Sequence, residues 1–195
     1  MATRIVYLVR HGQQATPQIY NGLGNHLSDL GRRQAELTAD LLASVLISQI
    51  YHSTMRRAAE TAHAIARRHP RVPVHASRLL WEGVPYLPTL LAPYFEDVTE
   101  EVISRDRVRL DRAFDRFFRP ASKETVDLLV CHGNMIRYLV CRAIHAPPDA
   151  LAHMEINNCG VTQIVVEPEF VPERRTVLYG LNAIGHIPPD LRSFI

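Results

Sequence analysis

Two apolar runs, far apart in the chain, each end in a histidine followed by a glycine. Ile5-Val6-Tyr7-Leu8-Val9 runs into Arg10-His11-Gly12, and Val126-Asp127-Leu128-Leu129-Val130-Cys131 runs into His132-Gly133. An imidazole is a competent nucleophile or proton carrier near neutral pH, and an arginine beside it adds a fixed cation. That pair suits an anionic substrate. One Arg-His-Gly after a strand is weak evidence, because turns recruit glycine. Two such endings at one sheet edge would bring two imidazoles together, and a constellation replaces a motif. Arg56 and Arg57 follow Ser53-Thr54 in what reads as the first turn of a helix, where backbone N–H groups and the helix dipole already favour an anion. Glu82, in Leu79-Leu80-Trp81-Glu82-Gly83, adds a carboxylate.

The elements that must position these groups follow from hydrophobic period. The two apolar runs, rich in β-branched residues, read as strands buried on both faces, as in a parallel or mixed sheet, where ligands bind at the carboxyl edge. Gln13 to Leu27 has no helical period and carries Pro17, Gly22 and Gly24, a loop at that edge. Ser28 is a good N-cap for a helix whose Leu30, Gln34, Leu37, Leu41 and Val45 form a stripe. Val45 to Tyr51 predicts a strand, and Ser53 or Thr54 caps the next helix, with a narrow face of Ala58, Thr61, Ala62, Ile65 and Ala66 that ends before Pro70. Val72 to Ala76 is a short strand, and the segment to Glu96, punctuated by Pro85, Pro88 and Pro93, is a loop beside the pocket. A third helix buries Ile103, Leu110, Phe114 and Phe117 or Phe118, while Arg105, Arg107, Arg109, Arg112 and Arg116 mostly face water. The helix after His132-Gly133 buries Ile136, Leu139, Val140, Ala143 and Ile144. Val161 to Val166 and Thr176 to Leu181 read as a hairpin around a turn-rich connector. The sum is an α/β three-layer sandwich, a mainly parallel central sheet with helices on both faces, in one domain spanning 1–195.

Bulk properties narrow the classes. With 195 residues, 47% of them hydrophobic, one sizeable core is expected. A net charge of +2 gives no polyelectrolyte argument for nucleic acid, although 21 of the basic residues are Arg and only Lys123 is Lys. Cys131, Cys141 and Cys159 are odd in number and without Cys-x-x-Cys spacing, so they read as small buried hydrophobes in a reducing compartment. No stretch approaches the roughly 20 apolar residues of a membrane span, and the N-terminus lacks a signal-peptide core. The expectation is a soluble cytoplasmic protein without membrane contact. His26, His52, His63, His69, His75, His145, His153 and His186 form no ligand-spaced cluster, so no metal and no cofactor is expected.

Leu8 to Gly12, Ser53 to Ala62, Leu80 to Gly83 and Cys131 to Asn134, taken in order, resemble the signatures of the histidine phosphatase (phosphoglycerate mutase-like) superfamily. His52 to Met55, Leu80 to Pro85, Val130 to Pro148 and the tail Gly185 to Asp190 are similar to its branch of mitochondrial serine/threonine protein phosphatases. The resemblance implies phosphoryl transfer with His11 as nucleophile, through a phosphohistidine that water hydrolyses. Arg10 and Arg57 suit the donors that grip phosphoryl oxygens, since a guanidinium is always charged and forked. The family role of His132 is donation to those oxygens, best as imidazolium, and that of Glu82 is to protonate the leaving oxygen and then to activate water. Sequence does not decide whether burial or the arginines win in setting the Glu82 pKa. Gln13, Gln14, Asn21 and the backbone of Asn134 are substrate-binding candidates, and Pro17 stands where relatives carry a phosphate-contacting Asn. Asn157 and Asn158 suggest a turn beside the pocket.

The resemblance favours a phosphomonoester hydrolase acting on phosphoserine, phosphothreonine or phosphohistidine in proteins. A small-molecule phosphatase is the enzymatic rival. A phosphoglycerate mutase, whose longer insertion this chain lacks, and an inert interaction protein using residues 83–96 are further alternatives. A homodimer is expected by family analogy alone.

Overall fold

A computed structural model describes residues 2–15, 24–94, 96–168 and 176–194. Pro17, Asn21, Gly22 and the connector at 169–175 lie outside the described residues. Six strands form one sheet in the order β3-β2-β4-β1-β5-β6: β1 (Arg4–Arg10), β2 (Gln49–Ser53), β3 (Val74–Ser77), β4 (Thr125–Cys131), β5 (Val161–Val166) and β6 (Thr176–Ala183). The β1–β4, β4–β2 and β2–β3 pairings are parallel; β5 and β6 are the expected antiparallel hairpin.

Among the described residues, four α-helices cover the two faces: α1 (Asp29–Leu42) and α2 (Arg56–Ala66) on one, α3 (Glu100–Phe117) and α4 (Gly133–Ala143) on the other. The two-residue period of the strands divides the core accordingly. Val6, Leu8, Leu129 and Cys131 meet Leu110, Phe117, Met135 and Leu139, whereas Val9, Leu128 and Val130 meet Ala39, Leu42, Ala62 and Ile65. Cys131, Cys141 and Cys159 are buried free thiols.

The register of the two central strands decides where the chemistry falls. Arg10 is opposite Cys131, the last residue of each strand, so the next residues, His11 and His132, emerge side by side. The His11 N–H donates to the Cys131 carbonyl at 3.0 Å, carrying the ladder one step past the strands.

Several local expectations are corrected. The buried face of α1 is Gly31, Gln34, Ala35, Thr38, Ala39 and Leu42, with Leu41 45% exposed. The helix is turned by one position because its small residues approach α2 and its buried Gln34 is hydrogen-bonded to the Gln13 N–H and the Leu191 carbonyl. The strand expected from Val45 begins at Gln49, and the one expected from Val72 begins at Val74. Neither Ser53 nor Thr54 caps α2, whose N-cap is Met55. Ile144, past the end of α4, is 43% exposed.

Candidate active site

His11, buried at the end of β1, has its ring fixed by a hydrogen bond from Nδ1 to the Gly12 carbonyl at 2.8 Å. That donor leaves the lone pair on Nε2. Arg57, in the first turn of α2, donates from Nε to this Nε2 at 2.8 Å and contacts Nδ1 of His132 through a terminal nitrogen at 3.2 Å. A guanidinium only donates, so His132 accepts at Nδ1 and carries its proton on Nε2, which donates to the Ser53 hydroxyl at 2.9 Å. The two imidazoles lie 5.1 Å apart, their planes at 64°.

The surrounding backbone holds this geometry. The Gly12 N–H donates to the Thr61 hydroxyl at 3.0 Å, the Asn158 side chain donates to the His11 carbonyl at 3.0 Å, and the Cys159 N–H donates to the Arg10 carbonyl at 3.0 Å. Gly24 takes φ +73° hard against Arg57, where a Cβ would stand 2.4 Å from the guanidinium, so only glycine satisfies both the turn and the contact. Arg10 is anchored through one terminal nitrogen to the carbonyls of Ile156 and Phe194, at 2.5 and 2.6 Å. Its Nε is buried without a hydrogen-bond partner among the described residues. A buried cationic N–H with no acceptor is costly, and an anion's oxygen satisfies it.

Glu82 is half-buried and lines a cavity of about 370 Å³ together with Arg57, Gln14, Asn25 and Met55. Its loop is tied down at both ends. The Trp81 indole donates to the Thr54 hydroxyl, and Arg109 of α3 donates to the carbonyls of Trp81 at 2.6 Å and Glu82 at 3.0 Å. Asp106, buried one turn earlier, accepts the Val84 N–H at 2.9 Å.

Burial sets the electrostatics. Desolvation, then the charges of Arg57 and Arg10, holds His11 well below its ordinary 6.5. Desolvation and the neighbouring His11 do the same to His132. Desolvation raises the Glu82 carboxyl above 4.5 despite hydrogen bonding and the nearby Arg10 and Arg57. The balance that sequence left open falls to burial. The expected imidazolium at His132 is not the form favoured by its surroundings.

His11, His132, Arg10, Arg57 and Glu82 thus come from four segments to one edge of the sheet. Gln13 and Asn134 sit nearby with engaged side chains: Gln13 accepts from the Ser28 hydroxyl at 2.7 Å, and Asn134 accepts from Arg137 at 3.2 Å. The sequence assigns Ser53 to a cap, Thr61 to a packing face and Arg109 to a face toward water, and does not single out Asp106. An aspartate inside the apolar stripe of α3, between Ile103 and Leu110, was the one available signal.

The family model of the histidine phosphatase superfamily (branch 1) matches residues 6–83 and 93–176. The mitochondrial serine/threonine-protein phosphatase Pgam5 of Caenorhabditis briggsae is 35% identical, over 99% of this chain and 68% of its own length. The human mitochondrial serine/threonine-protein phosphatase PGAM5 is 34% identical, over 97% of this chain and 65% of its own. The chain therefore spans about two thirds of these relatives. A phosphoglycerate mutase from Plasmodium falciparum superposes with a TM-score of 0.62 at 27% identity, over 96% of this chain and 93% of that one. YhfR from Bacillus stearothermophilus gives 0.74 at 20% identity, over 95% and 100%, a likeness of fold. These relatives correct the cytoplasmic expectation, since their names point to mitochondria instead. The three buried cysteines, unpaired in this structure, do not distinguish one compartment from the other.

Proposed function

The chain belongs to the histidine phosphatase superfamily, and from that premise we propose that it hydrolyses phosphomonoesters through a phosphohistidine at His11, its substrates being phosphorylated serine, threonine or histidine in proteins. The observation that carries this reading is the His11 ring, held in one tautomer with Nε2 facing Arg57.

In the proposed first step, a phosphoryl oxygen takes the Arg57 Nε–H, which releases the His11 lone pair. The Nε2–P bond forms as the P–O bond to the leaving group breaks, and Glu82, whose carboxyl desolvation raises above its ordinary value, gives its proton to the departing oxygen. Arg10 contributes its unpartnered Nε–H to another oxygen. A phosphoryl dianion beside His132 offsets part of the cationic field there and favours uptake of a proton from solvent at Nδ1, which then donates to the transferring group as the Arg57 terminal N–H turns to a phosphoryl oxygen. Water next attacks phosphorus, Glu82 takes its proton, and His11 departs as neutral imidazole. Arg10, Arg57 and His132 supply the positive charge, so the scheme draws on no metal ion.

The protein substrate rests on the relatives' names. A metabolite phosphatase is the second reading, favoured by the cavity of about 370 Å³ beside Glu82, enough for a small phosphomonoester. Acid-quenched intact mass after mixing with a phosphoserine peptide, with phosphate release followed in parallel, tests both. A transient acid-labile single-phosphate adduct, absent from His11→Ala, is expected; an adduct formed only with a sugar-phosphate panel would favour the metabolite reading.

A further inference from the structure

Where the edge strand β3 passes into the helical turn Arg78–Leu80, a cleft of about 550 Å³ opens against α3. Five arginines line it, at 78, 105, 109, 112 and 116, and among the described residues no carboxylate does. Elsewhere several arginines are held by carboxylates, Arg32 by Asp29, Arg67 by Glu36, Arg68 by Asp40 and Arg142 by Asp111, while Arg33, Arg71 and Arg119 stand singly on the surface with no ion pair among the described residues. Within the cleft, Arg105 reaches the buried Asp106 only at 3.5 Å and shares it with Arg109. Among the described residues, none lies in ion-pair contact with Arg78, Arg112 or Arg116. Two of these three are already ordered by aromatic rings. The Arg78 guanidinium lies 5.6 Å from the Trp81 ring centre, and that of Arg116 lies 5.4 Å from Phe117 and 5.9 Å from Tyr51. A stacked guanidinium keeps its N–H edge available for an oxygen acid, and little further ordering is needed when one arrives.

The cleft is tied to the candidate site through Arg109. Leu79 lines it and accepts from Arg109, whose other hydrogen bonds end on the carbonyls of Trp81 and Glu82. Arg78 and Glu82 are four positions apart, at most about 14 Å of chain. A peptide with its phosphorylated residue at Glu82 needs only a few further residues to enter the cleft.

Resting on the proposed action on phosphoproteins, we infer that this cleft is a specificity site that binds an acidic segment, Asp, Glu or further phosphorylated residues, flanking the residue to be dephosphorylated. Carboxylates match the forked guanidiniums, and a concave groove of this size takes a few side chains of an extended peptide rather than a membrane surface.

The test uses the full chain and Arg112→Glu/Arg116→Glu, with Arg112→Gln/Arg116→Gln as the milder pair. A fluorescent Asp/Glu-rich peptide without phosphate is titrated by anisotropy at two salt concentrations, while kcat/KM is measured for phosphoserine peptides with acidic or neutral flanks and for p-nitrophenyl phosphate. The wild type should bind the acidic peptide and favour the acidic phosphopeptide about tenfold. Charge reversal should weaken binding at least tenfold and abolish the preference, leaving p-nitrophenyl phosphate turnover within twofold. Equal binding by wild type and variants, no flank preference in an active wild type, or stronger binding to RNA or anionic vesicles than to the peptide would overturn the inference. Arginine-dependent binding without hydrolysis of any phosphopeptide would uphold the cleft and sink the phosphoprotein reading, so the two fail separately.

Discussion

Arg57 donates from Nε to Nε2 of His11 at 2.8 Å, which places a fixed cation on the nitrogen proposed to attack phosphorus. The same side chain reaches His132, so one guanidinium spans both imidazoles. Removing it should cost more than a charge. Arg57→Ala is expected to lower kcat/KM for p-nitrophenyl phosphate by about 10²–10³, the range for loss of one preorganised donor. Arg57→Lys should recover little, because an ammonium cannot bridge the two rings. Activity within tenfold of wild type in the alanine variant would remove Arg57 from the mechanism.

Arg109 touches no candidate catalytic side chain, yet it holds three carbonyls of the segment that carries Glu82, those of Leu79, Trp81 and Glu82. Gly83 completes the contact, since a Cβ there would stand 2.4 Å from the guanidinium. Arg109→Ala should therefore loosen the proposed acid, and the need for an acid depends on the leaving group. An alkyl phosphate should lose roughly 10²-fold in kcat/KM, the scale of a misplaced catalytic group, while p-nitrophenyl phosphate, which leaves readily, loses only severalfold. Equal losses on both substrates would mean that Arg109 supports the fold alone.

The histidines were legible because a two-residue strand period and a shared strand ending leave few places for them. Arg57 was legible because a helix N-terminus and a cation act on the same anion. Arg109 was not: on a helix with five arginines, charge and spacing alone look like a solvated face, and only the buried Asp106 beside it signals an inward partner. The α1 stripe failed for a related reason. Leucines drew attention, but the face toward α2 is occupied by small residues and a hydrogen-bonded Gln34, because backbone approach mattered more there than apolar volume. Ser53 and Thr61 reach the site only through tertiary contacts that no local pattern carries.

Gly31 tests that close approach. A Cβ on it would stand 2.0 Å from the Gln13 carbonyl oxygen, and one on Gly12 would stand 2.5 Å from the Gly31 carbonyl oxygen. In a helix, Gly→Ala ordinarily stabilises by about 1 kcal/mol through propensity. Here the clash is with backbone and cannot be relieved by a rotamer change, so Gly31→Ala should destabilise by about 1–3 kcal/mol in urea unfolding. It should also slow turnover, because Gln13 can move only by shifting the His11-Gly12 loop. A stabilised variant would contradict the packing of α1 against that loop.

The opposed shifts of the histidines and Glu82 give a signed pH prediction. His11 and His132 are held below 6.5, so the unfolded chain binds protons on them that the native chain refuses. Their contribution to stability is therefore lost as pH falls below 6.5, and Tm should decline there, less steeply in His11→Ala. Glu82, raised above 4.5, keeps its proton to higher pH than an exposed carboxylate. With an alkyl phosphate, kcat should fall as pH rises through that elevated value, because the proton for the leaving oxygen is gone. The substrate phosphate itself titrates near pH 6, so Glu82→Gln is the control. If the alkaline limb disappears from the residual activity of Glu82→Gln, it belongs to Glu82; if it persists unchanged, the phosphate is responsible and Glu82 is not the acid.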